Sequence, residues 1–111
     1  MTVTTATDGA VTVASLTGEI DASTAPAIQQ QLNPLVTPGA KVVLDLADVP
    51  YMSSAGLRLL LSIYRQITGA GGKIALAAVV DEIKDTMSVT GFLKFFVVHD
   101  TVAEAVASLT A

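Results

Sequence analysis

The sequence predicts a single α/β domain over residues 1–111, with a central mixed, mostly parallel β-sheet of about four to five strands packed by about four helices. Three observations predict this fold. Segments of strand and helix character alternate in the order β-β-α-β-α-β-α-β-α, with short connections. Two nearly continuous apolar runs, KVVLDL and KIALAAV, are typical of strands buried on both faces of a sheet. Apolar residues make up 51% of the chain, which is enough for a core without metal or disulfide support.

The chain is expected to open with an antiparallel hairpin. Residues 2–7 form a weak, threonine-rich strand. Residues 11–20 alternate apolar and small polar side chains, as in a half-buried strand. Asp8-Gly9 between them is a turn signal, so the hairpin adds an antiparallel edge to the sheet.

The first helix is expected after Asp21. Ser23 or Thr24 can cap it, and Pro26 suits its first turn. Its apolar residues recur at helical spacing: Ile28, Leu32 and Leu35. Pro34 and Pro38-Gly39 then end it. The apolar run at 41–46 follows and is expected to be the central strand.

The segment YMSSAGLRLLLSIY, residues 51–64, predicts the second helix and places two adjacent serines at its start. An apolar stripe marks its buried side: Leu57, Leu60, Leu61 and Tyr64. The glycines of TGAGGK end it. A serine at such a start can cap the helix by accepting a hydrogen bond from a backbone N–H of the first turn.

The remaining elements are a buried strand at 73–79, a short helix, a final strand at 95–100 and a final helix at 101–109. The short helix has acidic residues in its first turn and a glycine at its end. Its apolar side is expected to hold Ile83, Met87 and Val89. Thr101 or Asp100 is expected to cap the final helix.

Charge and composition exclude several classes of function. Six basic residues against ten acidic ones leave no basic surface for nucleic acid or anionic lipid. The absence of cysteine excludes disulfide frameworks, thiolate metal sites and cysteine nucleophiles. The first ten residues lack the pattern of a signal peptide, and the longest apolar run, 74–80, is too short to cross a bilayer. We therefore expect a soluble cytoplasmic protein with neither a nucleic-acid nor a membrane partner.

No residue pattern predicts catalysis, a metal or a cofactor. A serine hydrolase would have to use His99, the single histidine, and the nucleophile elbow G-x-S-x-G fails because Met52 stands two positions before Ser54. The glycines of ITGAGGK do not fit a phosphate loop. Adjacent Asp81 and Glu82 are explained as first-turn charges rather than metal ligands. We expect a protein that is not an enzyme.

The pair Ser53-Ser54 is the strongest candidate for a functional site. A phosphate attached at a helix start carries a charge of about −1.5 to −2, in the place where a helix best tolerates an anion. Gly56 is expected to let a macromolecular partner approach the backbone closely. From the residues alone, a plain helix cap and a modification site both remain open.

Four blocks of the sequence resemble the anti-sigma factor antagonists of the STAS domain family. They are LTGEIDASTA (16–25), VVLDLADVPYMSSAGLRLLL (42–61), GGKIALAAV (71–79) and MSVTGFLKFFVVHDTVAEAV (87–106). The second block is the most specific to this family, and the order of the four blocks along the chain makes the resemblance more specific still. The resemblance implies a STAS-type fold and a role in protein-protein partner switching.

In that family, the unphosphorylated antagonist binds an anti-sigma factor, and this binding releases a sigma factor. The anti-sigma factor is also a serine kinase, and it is the kinase that binds ATP. Phosphorylation of one serine ends the association, and a PP2C-type phosphatase reverses it. The usual phosphorylation site of the family has the sequence pattern hydrophobic, Met, Asp, Ser/Thr, small, Gly, Leu. Alignment of this pattern with YMSSAGL places the phosphate acceptor at Ser54, with Ser53 as the second choice. Ser53 stands where relatives have aspartate, which is the one clear departure from the pattern.

The resemblance also implies a partner-contact surface around the acceptor, in which the loop carrying Asp21 lies beside the phosphosite. Its expected members are Glu19, Asp21, Ser23, Thr24, Ser53, Ala55, Gly56 and Arg58. A weak homodimer is left open. The departure at Ser53 motivates an alternative, a constitutive STAS scaffold such as a subunit of a lipid-transport or stress-sensing assembly, in which Ser54 is only a cap.

Overall fold

Five strands and four helices follow one another in the computed structural model, which describes residues 2–110. The strands are β1 (Thr2–Asp8), β2 (Val11–Thr17), β3 (Lys41–Asp48), β4 (Lys73–Ala77) and β5 (Val97–His99). The helices are α1 (Ala25–Leu32), α2 (Ser54–Gly69), α3 (Asp81–Thr90) and α4 (Val102–Thr110). Single 3-10 turns at Asn33–Leu35 and Phe92–Phe95 follow α1 and α3. The predicted α/β class and order of elements are confirmed.

The strands form one sheet in the order β1-β2-β3-β4-β5. β1 pairs antiparallel with β2, and every later pair is parallel. Asp8 pairs with Val11 across a two-residue turn in which Gly9 takes a φ of +62°, a conformation that glycine adopts without strain. The predicted hairpin edge and the central position of β3 are therefore confirmed.

The sheet is covered on both faces, but unequally. Helices α1, α2 and α3 pack on one face, where Leu44 of β3 and Leu76 of β4 are fully buried. Only α4 packs on the other face, where Val43 lies against a small cluster that includes Ala105 and Leu109. Because successive side chains of a strand point to opposite faces, the continuous apolar run of β3 supplies both cores.

The ends of two helices follow their sequence signals. After α2, the N–H of Gly72 donates to Ile67 O at 2.9 Å and the N–H of Gly71 donates to Thr68 O at 3.1 Å. With Gly71 at a φ of +78°, this is a Schellman ending. At the start of α4, Thr101 Oγ1 accepts from the N–H of Glu104 at 3.1 Å, so Thr101 rather than Asp100 is the cap.

Several expected boundaries and faces are corrected by the structure. Val89 is 87% exposed, because it lies two positions, about 200°, around the helix from buried Met87. β2 ends at Thr17 rather than residue 20, and the last strand is shortened because Phe92–Phe95 forms a 3-10 turn. Pro34 lies in the other 3-10 turn, so α1 ends at Leu32.

Within residues 2–110, every helix is too short or too polar to cross a membrane.

Candidate functional site

The loops that follow β2 and β3 are joined by backbone hydrogen bonds. The N–H of Ile20 donates to Tyr51 O at 3.0 Å, and the N–H of Ser53 donates to Ile20 O at 2.9 Å. Between these bonds, Ile20 and Met52 form a single parallel bridge. Because parallel strands end at the same edge of a sheet, these loops meet there, and Asp21 is held beside the start of α2, as expected from the sequence.

Asp21 organises its own loop. Its Oδ1 accepts hydrogen bonds from the Ser23 hydroxyl at 2.6 Å, the Ser23 N–H at 2.9 Å and the Thr24 N–H at 3.1 Å. The Ser23 hydroxyl and then the Thr24 N–H lower the pKa of Asp21 below its usual value of 3.8, because these donors favour the ionised form. Among the residues described, none donates to the second oxygen, Oδ2, which therefore remains available to a partner.

Thr24 occupies the cap position of α1 without capping it through its side chain. Its hydroxyl instead accepts from the N–H of Asp21 at 3.0 Å and donates to Glu19 O at 3.0 Å. The Thr24 hydroxyl, at the end of the loop, is thus bonded to Glu19 and Asp21 near its beginning, and these bonds fix the shape of the loop. The side chain of Glu19 is exposed at its edge.

The two serines at the start of α2 have different roles in the structure. Ser53 is the N-cap, with an extended backbone (φ −79°, ψ 175°), and its hydroxyl accepts from the N–H of Gly56 at 3.3 Å. Ser54 is the first residue of the helix and is exposed. Within residues 2–110, its hydroxyl makes no hydrogen bond. One serine therefore stabilises the helix, and the other presents an unengaged hydroxyl at its positive end.

Gly56 faces the interior, so the expectation that it leaves room for a partner is wrong. A Cβ at this position would lie 2.6 Å from Met52 Cγ and 2.8 Å from Ile20 O. Real Cβ atoms do not approach backbone oxygens so closely. A glycine is required here because the first turn of α2 packs directly on the bridge between Ile20 and Met52.

An open groove with a volume of about 420 Å³ lies between the starts of α1 and α2, and Ala55, the neighbour of Ser54 in the chain, lines it. Its walls are mainly small or apolar: Ala22, Ala25, Pro26, Gln29, Ala55, Arg58 and Leu59. Arg58 is exposed, and within the described part of the chain it forms no salt bridge. We call Asp21, Ser54, Ala55, Arg58 and this groove the acceptor surface.

The sequence predicted Ala55 and Arg58 at the site but not the other residues that line the groove. The missed residues are Ala22, Ala25, Pro26, Gln29 and Leu59. The small residues in ASTAPA were a signal, since they leave the start of α1 without bulky side chains. Their position opposite α2 becomes visible only when the two helices are packed on the sheet.

His99 does not join this site. It lies at the end of edge strand β5 and pairs with Ala77 of β4, whereas the loops with the serines follow β2 and β3. Within residues 2–110, neither serine forms a hydrogen bond with His99, which a base that activates a serine would need. In the chain from residue 2 to residue 110, no three His, Asp or Glu side chains are grouped so that they could hold a metal ion.

Comparison with known proteins identifies the family. The STAS domain family model matches residues 2–105. The protein BtrV of Bordetella bronchiseptica is 31% identical over 97 residues, covering 86% of this chain and 84% of that protein. The anti-sigma-B factor antagonist of Bacillus subtilis is 31% identical over 77 residues, covering 69% of this chain and 71% of that protein.

A solved structure agrees with these relatives. The crystal structure of an anti-sigma factor antagonist from Mycobacterium paratuberculosis superposes with a TM-score of 0.87 at 28% identity, covering 99% of this chain and 94% of that one. The resemblance of the four sequence blocks is thereby confirmed. The chain belongs to the STAS domain family.

Proposed function

We propose that this protein is an anti-sigma factor antagonist whose binding is switched by phosphorylation of Ser54. The observation that carries the proposal is the different engagement of the two serines. Ser53 is used as the cap, while Ser54 is exposed and unbonded at the start of α2. The relatives named as anti-sigma factor antagonists support the general role.

In the unmodified state, the acceptor surface binds an anti-sigma factor that is also a serine kinase, and a sigma factor is released. The partly apolar groove offers area for such a partner, Arg58 in its lining offers a positive charge, and Asp21, which precedes the lining residue Ala22, offers a negative one. The open Oδ2 of Asp21 is suited to a donor on the partner.

Phosphoryl transfer needs only the hydroxyl of Ser54 from this chain. Its oxygen attacks the γ-phosphorus of ATP bound to the kinase, the bond from that phosphorus to the bridging oxygen breaks, and ADP leaves. The hydroxyl proton passes to a base of the kinase. In this proposal, the protein is a substrate and binding partner rather than an enzyme.

The fold accommodates the phosphate. Ser54 is exposed and makes no hydrogen bond within residues 2–110, so its modification breaks no internal contact. The helix start stabilises the added charge of about −1.5 to −2. The same charge lies next to Ala55 of the groove, where it repels an acidic partner surface and loses hydration against an apolar one. Each 1.4 kcal/mol of lost binding energy is about tenfold in affinity.

The departure at Ser53 is compatible with the switch. An N-cap aspartate and an N-cap serine both accept from a backbone N–H of the first turn. Ser53 makes that bond to Gly56, so the cap does not depend on a carboxylate. A PP2C-type phosphatase would restore the hydroxyl, and the cycle would run in the cytoplasm. A weak homodimer remains compatible with this function.

A pull-down from the native host with the unmodified protein identifies the kinase, which is then incubated with the chain and ATP. Peptide mass spectrometry should find one phosphate, on Ser54. Ser54→Ala should accept none, and the matched Ser53→Ala variant should still be modified at Ser54. Phosphate on Ser54→Ala, or unchanged kinase binding after phosphorylation, would show the mechanism to be wrong.

A constitutive STAS scaffold is the second candidate, because Ser53 replaces the usual aspartate. Its partner would be a non-kinase protein of a lipid-transport or stress-sensing assembly. The same pull-down separates the two functions. A stable complex with a non-kinase partner that Ser54→Ala leaves unchanged would favour the scaffold.

A further inference from the structure

We propose that phosphorylated Ser54 is held by Arg58 of the same helix, in an ion pair that withdraws the guanidinium from the partner-binding groove. The inference rests on the proposed phosphorylation of Ser54. Arg58 is then the residue of this chain that changes position when Ser54 is phosphorylated.

The helix places the two side chains together. Ser54 and Arg58 are four residues apart in α2, and both are exposed. Residues at this spacing lie one turn apart on one face, with Cβ atoms about 5–6 Å from each other. Side chains of a helix lean toward its N-terminus, so the long arginine side chain is able to reach back to a phosphate at position 54. The intervening Gly56 and Leu57 are buried on another side of the helix and do not obstruct it.

The guanidinium has no competing partner in the unmodified protein. No carboxylate of residues 2–110 lies within salt-bridge distance of Arg58, and α1, which faces it across the groove, contains no charged residue. The charged groups of the neighbouring loop, Glu19 and Asp21, are acidic, but neither forms a salt bridge with Arg58. A phosphate is a stronger partner, since arginine can donate to two of its oxygens at once. An acidic group N-terminal to a basic one is also the favoured order along a helix.

The position of Arg58 gives the pair a consequence for binding. Arg58 lines the groove of the acceptor surface, and it also lines a neighbouring groove together with Leu61, Ser62, Arg65 and Gln66. It therefore forms the ridge between the two. A guanidinium drawn toward position 54 changes the charge and shape of that ridge, so phosphorylation removes an arginine contact from the partner in addition to adding charge.

The pair is tested without a kinase by installing phosphoserine at position 54 through genetic encoding or semisynthesis. Phosphorus NMR then follows the second pKa of the phosphate, which is ordinarily about 6. A nearby guanidinium lowers this pKa, so Arg58→Gln should raise it by roughly 0.3 pH units. Arg58→Lys should give an intermediate value, because it keeps the charge but not the two-pronged geometry.

Arg65→Gln is the matched control, because it removes the same charge from the same exposed side of α2. It lies eleven residues from Ser54, about 16 Å along the helix, and should leave the phosphate pKa unchanged. Equal pKa values in the parent and Arg58→Gln, or equal shifts from Arg58→Gln and Arg65→Gln, would overturn the proposal. Because the phosphate is installed chemically, failure of the kinase to modify Ser54 would count against the proposed function alone.

Discussion

The backbone N–H of Ser53 donates a 2.9 Å hydrogen bond to the carbonyl oxygen of Ile20. This bond connects the cap of α2 to the residue that precedes Asp21. The side chain of Ile20 is fully buried, so the connection is anchored in the core. Asp21, in the loop after β2, and Ser54, the first residue of α2, are thereby held close to each other.

Gly56→Ala is expected to destabilise the protein. The added methyl group meets Ile20 O at 2.8 Å, and a backbone oxygen cannot rotate away as a side chain can. Overpacking of this kind costs about 1–3 kcal/mol, which outweighs the better helix propensity of alanine. Urea denaturation should show a lower free energy of unfolding.

Gly69→Ala is the matched control in the same helix. A Cβ at Gly69 meets nothing within 4 Å, so this change should be neutral or stabilise the protein by up to about 1 kcal/mol. Equal losses from the two substitutions would contradict the packing explanation for Gly56.

Ser53→Ala should lower the free energy of unfolding by about 1 kcal/mol, because the N–H of Gly56 loses its acceptor. Ser53→Asp should keep the cap and restore the stability. Ser54→Ala should have almost no effect on unfolding, since its hydroxyl bonds to no atom in residues 2–110. A larger loss from Ser54→Ala than from Ser53→Ala would reverse the roles assigned to the two serines.

The pKa of Asp21 should depend on Ser23. Since the Ser23 hydroxyl is the largest cause of the lowered pKa, Ser23→Ala should raise the pKa of Asp21 toward 3.8. Carboxyl NMR titration of the folded protein measures this directly. An unchanged pKa would show that the 2.6 Å bond between the two side chains does not act as described.

The lowered pKa of Asp21 also makes a prediction for stability. A carboxyl with a lower pKa in the folded state binds fewer protons there than in the unfolded chain. Its contribution is therefore present above the unfolded value of about 3.8 and is lost as the pH falls through the folded pKa. The difference in unfolding free energy between the parent and Asp21→Ala should shrink below pH 4. A difference that grows on acidification would contradict the assigned direction.

Ser54→Asp should mimic phosphorylation only in part. A carboxylate carries one charge in a plane, whereas a phosphate carries nearly two on a tetrahedral group. The substitution should weaken kinase binding less than phosphorylation does, as titration calorimetry with the kinase would show. Equal or greater weakening by aspartate would count against the charge argument.

Patterns along the chain predict most of the fold, because its strands and helices carry strong and regular signals. The apolar run of β3 and the glycines after α2 are read directly from the sequence. Val89 is misplaced because a short helix offers too few apolar positions to fix its buried side. The reason for Gly56 is also missed, since its close contacts involve Ile20, which is distant in sequence. Contacts between distant segments depend on packing and leave no local pattern.

The candidate site is predicted in part for the same reason. Neighbouring positions such as Ser53 and Ser54 can be recognised together, whereas their different engagement depends on which hydroxyl faces the N–H of Gly56. The groove beside them has one wall from α1 and one from α2. Only the packed structure brings those walls together.

In the proposed switch, a phosphate on Ser54 is by itself sufficient to end binding to the anti-sigma factor kinase. The most direct test is the kinase affinity of two forms of the otherwise unchanged protein, one unmodified and one carrying phosphoserine at position 54, measured by titration calorimetry. The phosphate is expected to cost several kcal/mol of binding free energy, and each 1.4 kcal/mol lowers the affinity about tenfold. The phosphorylated form should therefore bind the kinase at least about a hundredfold more weakly. Equal affinities of the two forms would show that phosphorylation of Ser54 does not control binding.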